Sequence, residues 1–85
     1  MILDRKEILE IIKETLVATG HHAVRKIYSI DEQSDLYADI GISSIDMMYI
    51  AVTLGTDFGV DSSSFSDENI KTVKDIIDIV EEAEK

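Results

Sequence analysis

An all-α fold, with three main helices joined by a long first loop, is predicted by three features of this 85-residue sequence. Proline is absent, so no residue interrupts a helix from within. Ile, Leu, Val and Met recur at the three- and four-residue spacing that lines one helix face. Each of these runs opens on a side chain able to cap it: Asp4, Ser43 and Thr72. The length allows one domain, 1–85, and only a modest core, since folding at this size hides roughly 60–65% of the chain's surface.

The first helix begins at Asp4, whose carboxylate can accept the Glu7 amide while Glu7 reaches back in a capping box. Leu3 and Ile8 stand at the spacing of a hydrophobic staple. Ile8, Ile11, Ile12 and Leu16 form the apolar face, opposite Lys6, Glu10 and Lys13. Gly20 stops the helix, because only glycine enters the left-handed region without steric cost.

Periodicity fades over 21–42, where Val24, Ile27, Tyr28, Ile30 and Leu36 are expected to anchor a long loop to the core. A loop of that length tends to be functional or to hide a turn of helix. Val24–Tyr28 can equally resume the first helix beyond Gly20.

The second main helix starts at Ser43, whose hydroxyl can cap the Asp46 amide; Asp46 itself suits the positive end of the helix dipole. It carries two apolar stripes, Met47/Ile50/Ala51/Leu54/Phe58 and Ile45/Met48/Tyr49/Val52. One stripe suffices for a small bundle. The other must be covered by the long loop, a ligand or a partner. Gly59 ends this helix, and an acidic, serine-rich connection over 60–69 leaves room for a helical turn at 66–69. Thr72 then caps the last helix, with Asp75 in its first turn, Val73, Ile76, Ile77 and Val80 facing the core, and a tail over 81–85 that should fray.

Composition narrows the function. Eight Lys and Arg against eighteen Asp and Glu give a net charge of −10, which repels phosphate backbones and anionic lipid. Neither nucleic acid nor a membrane surface is an expected partner. The 45% hydrophobic content supports a packed core. Without cysteine there is no disulfide, thiolate metal site or thiol nucleophile. The opening residues lack a signal peptide's apolar stretch, so a soluble, cytoplasmic and monomeric domain is expected.

The candidate chemistries are few. His21 and His22 are adjacent and do not converge on one metal, and no third histidine completes a zinc site. Asp57, Asp61 and Glu68 match three places of a calcium loop, but Ser62 stands where a turn glycine is required. Gly41-Ile42-Ser43-Ser44-Ile45 lacks the second glycine of a nucleophile elbow, and no strand precedes it. No catalytic apparatus emerges, and an enzyme is not expected. What remains is Asp39-Ile40-Gly41-Ile42-Ser43-Ser44-Ile45-Asp46, where a glycine turn delivers Ser44 to a helix start. A phosphate ester on Ser44 would meet unpaired amides and the positive dipole end. On spacing alone, two ordinary helix-start serines explain the pattern better.

The same residues resemble a known family. Asp39-Ile40-Gly41 followed by Ser44-Ile45-Asp46 is similar to the Asp-Leu-Gly-x-Asp-Ser-Leu-Asp signature of acyl carrier proteins. Leu36-Tyr37-Ala38-Asp39 resembles the family's lead-in, and Leu54 and Phe58 match its apolar positions along the second helix. Ile70-Lys71-Thr72-Val73-Lys74-Asp75 resembles the family's entry to the last helix. The resemblance runs from the first helix to about Ile79. It implies a four-helix bundle with one short helix, and Ser44 as the attachment point for 4′-phosphopantetheine, added from coenzyme A by a phosphopantetheinyl transferase (holo-acyl carrier protein synthase). Acyl groups would ride as thioesters on the arm, which supplies the thiol this chain lacks. The family presents its second helix to partner enzymes, which here implies Ser43, Ile45, Asp46, Met48, Tyr49 and Val52.

Two departures stand out. Ser43 replaces the aspartate that fatty-acid carriers usually have before the modified serine. Tyr49, Gly55 and Thr56 occupy positions where acids are common. Loading and processing enzymes with basic or apolar docking patches are the expected partners, and a specialised carrier fits as well as a general fatty-acid one. The alternatives are an aminoacyl or peptidyl carrier, and an unmodified helical interaction domain in which Ser44 only begins a helix.

Overall fold

A computed structural model describes residues 4–20, 24–65 and 68–83. Four α-helices, α1 (Arg5–Ala18), α2 (Val24–Tyr28), α3 (Ser44–Phe58) and α4 (Val73–Ala83), form a small bundle with the three long ones as its frame. A π-helical turn (Leu36–Ile40) precedes α3 and a 3₁₀ turn (Ser62–Ser64) follows it. Among the described residues there is no strand, and no helix is long and apolar enough to cross a membrane.

The helix starts are set by local chemistry. Asp4 caps α1, its Oδ1 accepting the Glu7 amide at 2.8 Å. Leu3, the other half of the expected staple, lies outside the described residues. At α4, Thr72 Oγ1 accepts the Asp75 amide at 3.3 Å, while Asp75 Oδ2 accepts the amides of Lys71 and Thr72 at 2.8 and 3.0 Å. Helix α1 packs on α2, α3 and α4, and α3 packs on α4 and the 3₁₀ turn. Ile8, Ile12 and Leu16 meet Ile50 and Leu54 of α3 and Ile76, Ile77 and Val80 of α4 in one fully buried core. Ile11 and Phe58 pack at its margin.

The long first loop proves more ordered than expected. It holds α2 and the π turn, and Ile27, Ile30 and Leu36 anchor it, whereas Tyr28 points outward. Its second half is stitched to the start of α4. The Leu36 amide donates to the Lys71 carbonyl at 2.8 Å and the Val73 amide to Ser34 at 3.1 Å, making an isolated antiparallel bridge of Asp35 with Thr72. Long-range backbone pairing of this kind leaves no periodic signal in sequence. A 3₁₀ turn lies at Ser62–Ser64, and Ser66 and Asp67, half of the turn expected at 66–69, lie outside the described residues. The tail expected to fray from Glu81 is helical to Ala83.

An arginine explains the ordered tail. Arg5 Nη1 donates to Asp78 Oδ1 at 2.9 Å and to Glu81, and Arg5 Nε donates to Glu32 Oε1 at 3.2 Å. One guanidinium thus joins the start of α1, the loop and the end of α4. These three acids, Glu32 first, hold the Arg5 pKa above its ordinary value. Asp78 is held below the usual carboxylate range by Lys74 and then Arg5, and Asp75 by the Lys71 and Thr72 amides.

These shifts set the sign of an acid limb. A carboxylate whose pKa is lower folded than unfolded contributes stability that is fully present above its unfolded value, about 3.9 for Asp. That contribution is lost as pH falls through the lower folded value. Melting of the wild type should therefore decline more steeply below about pH 4 than melting of Asp75→Ala. Parallel curves for the two proteins would place the acid limb elsewhere.

Candidate functional site

The site is built by two turns in succession. Asp35 caps the π turn, its Oδ1 accepting the Tyr37 and Ala38 amides at 2.8 and 2.7 Å. Asp39 Oδ2 reaches back to the Asp35 amide at 2.7 Å. The Leu36 carbonyl then accepts both the Gly41 and Ile42 amides at 3.0 Å. That closure requires a left-handed residue, and Gly41 has φ 81°. Leu36, Ile40 and Ile42 drive their side chains into the core, so the turn is fixed from below. Single π turns are rare and concentrate at functional sites. In the sequence the segment resembles only a lead-in to the motif, and the four-residue spacing of Asp35 and Asp39 is the local signal of the turn.

Extended Ser43 (φ −105°, ψ 174°) follows and caps α3. Its Oγ accepts the Asp46 amide at 3.2 Å, and Asp46 Oδ2 accepts the Ser43 amide at 2.9 Å. This reciprocal box uses two of the amides that a helix start leaves without intrahelical partners. The other two belong to Ser44 and Ile45, which among the described residues have none. Ser44 is exposed as the first residue of the helix. An anion esterified to its Oγ would sit at two free amides and the positive end of a 15-residue helix.

Asp46 requires a correction. It was expected among the partner-facing residues, as a charge beside Ser44, but it is buried at 3% exposure with its carboxylate turned onto the Ser43 amide. A carboxylate three residues after a cap is drawn back by the orphan amide there. That bond secures the start of the helix that carries Ser44.

The second apolar stripe of α3 is open. Ile45 is 73% exposed, Met48 66%, Val52 62% and Tyr49 43%, so the described part of the loop, 24–42, does not fold across them. Met47, Ile50, Ala51 and Leu54 take the inward positions. A shallow groove lined by Ala18, Thr19, Ile45, Asp46 and Tyr49 lies where the end of α1 meets the start of α3. Its α1 wall was not foreseen, since nothing local in Ala18-Thr19 marks it.

His21 and His22 lie outside the described residues. Asp57, Asp61 and Glu68 do not gather into a cation site. Asp61 instead accepts the Ser63 amide at 2.9 Å, and that bond holds its pKa below the ordinary value.

A curated relative named acyl carrier protein, from Coprothermobacter proteolyticus, is 32% identical to this chain over 76 residues, covering 89% of the chain and 84% of the relative. No family model and no solved structure matches the chain.

Proposed function

The chain belongs to the acyl carrier protein family, and on that premise we propose that Ser44 carries 4′-phosphopantetheine, transferred from coenzyme A by a phosphopantetheinyl transferase. When attached, the arm supplies the thiol on which acyl groups are held as thioesters. The observation that carries the reading is the start of α3, where exposed Ser44 stands beside two amides that have no partner among the described residues, on a capped helix.

The chain's own part is presentation. Gly41 turns the backbone outward, Ser43 and Asp46 lock the helix start, and Ser44 stands clear for an enzyme to reach. The protein is a tether and not a catalyst. Holding an intermediate on a short flexible arm raises its effective concentration at each enzyme it visits. In this reading the carrier is soluble, cytoplasmic and monomeric, and loading and processing enzymes come to it. Ser43 and the uncharged Tyr49, Gly55 and Thr56 fit a specialised lipid or polyketide carrier at least as well as a general fatty-acid one.

The test is direct. Incubation with coenzyme A and a broad-specificity transferase should add one phosphopantetheine by intact mass, located by peptide mapping to Ser44. An unchanged mass would return the chain to the class of helical interaction domains.

A further inference from the structure

The outward face of α3 combines two properties that together describe what lands on it. Ser44, Met48 and Val52 follow one another at four-residue spacing, with Ile45 and Tyr49 beside them, so the apolar stripe begins at the exposed serine. Within α3 the charged residues are Asp46, which is buried on the cap, and Asp57, which lies in the last turn. The intervening surface is therefore uncharged on a chain of net charge −10.

The patch is too small to hold two copies together. Its four side chains expose on the order of 400 Å², the size of the largest apolar patch on a typical monomer. A stable complex buries about 800 Å² from each partner, and two copies would bring their negative charges together. Small interfaces are the transient ones, which suits a surface that must be met and left repeatedly.

Resting on the reading of Ser44 as the attachment site, we infer that the enzymes which load and read this carrier meet α3 through an apolar patch centred on Met48, not through a cluster of Lys and Arg. The acids elsewhere on the chain supply long-range steering, and the contact itself is hydrophobic. The partner surface is one lined by aliphatic or aromatic side chains that cover Met48 and Val52 while Ser44 enters the active site.

The sign of a charge effect decides between the two chemistries. Met48→Glu and Met48→Lys are compared with wild type for the kcat/KM of phosphopantetheine transfer by the transferase from the same organism. Melting curves are recorded alongside, and both variants should melt as wild type does, since Met48 is outside the core. An apolar partner makes both substitutions slow by about tenfold or more, an effect of about 1.4 kcal/mol. The loss should be the same in 0.1 M and 1 M salt, where the screening length falls from about 10 to about 3 Å. A basic partner would instead leave Met48→Glu as fast as wild type or faster and slow only Met48→Lys, and that result overturns the inference. So does a wild-type dimer in sedimentation that Met48→Glu dissociates, because the occupant would then be a second copy. Absence of transfer to wild type by any transferase would sink the Ser44 reading itself, a separate outcome from either of these.

Discussion

Ser44→Ala should abolish phosphopantetheine incorporation while melting within about 0.5 kcal/mol of the wild type. Ser44 is exposed, its hydroxyl makes no hydrogen bond among the described residues, and alanine is an excellent helix former at the first helical position. The adjacent serine gives the internal control. Ser43→Ala removes the acceptor for the Asp46 amide and should cost about 1 kcal/mol, yet it leaves a modifiable Ser44. Asp46→Ala strips the acceptor from the Ser43 amide and should cost about 1–2 kcal/mol, also with modification retained once the protein is folded. The three variants separate attachment from capping. An arm found on Ser44→Ala by intact mass would refute the assignment.

Capping residues and helix stripes were legible in the sequence because both are local. Asp4 and Ser43 lie within three residues of the amides they serve, and Thr72 does too. Ile8, Ile12 and Leu16 recur at the helical period and are all fully buried. The start of α3 at Ser43 was readable on the same terms. What escaped was non-local or competitive. Arg5 sits 27 residues from Glu32 and 73 from Asp78, and no spacing rule connects them. The pairing of Asp35 with Thr72, which orders the loop ahead of the site, is of the same kind. Asp46 was misplaced for another reason. A carboxylate in the first helical turn is favourable both facing a partner and folded onto the cap, and the orphan Ser43 amide decides for the cap.

The two stripes of α3 should respond oppositely to the same kind of truncation, which is the largest stability effect expected here. Leu54→Ala removes a fully buried side chain that packs at the centre of the bundle, where little can collapse to fill the gap. It should cost about 3–4 kcal/mol, lost transfer energy and residual cavity together. For a chain of this length the whole stability is on the order of 4–13 kcal/mol, so that loss takes much of it and can leave the variant partly unfolded at 37 °C. Val52→Ala lies two residues earlier on the same helix and removes a similar apolar group from solvent. It should change stability by no more than about 0.5 kcal/mol, helped by alanine's better helix propensity over a β-branched residue. Denaturant melts of the pair test this, because midpoints shift with stability while the slope reports the surface exposed. A large loss for Val52→Ala would mean that the stripe beginning at Ser44 is covered in solution. It would then no longer be available to an approaching enzyme. A small loss leaves α3 as the structure has it, one face holding the bundle together and the other held out beside the serine.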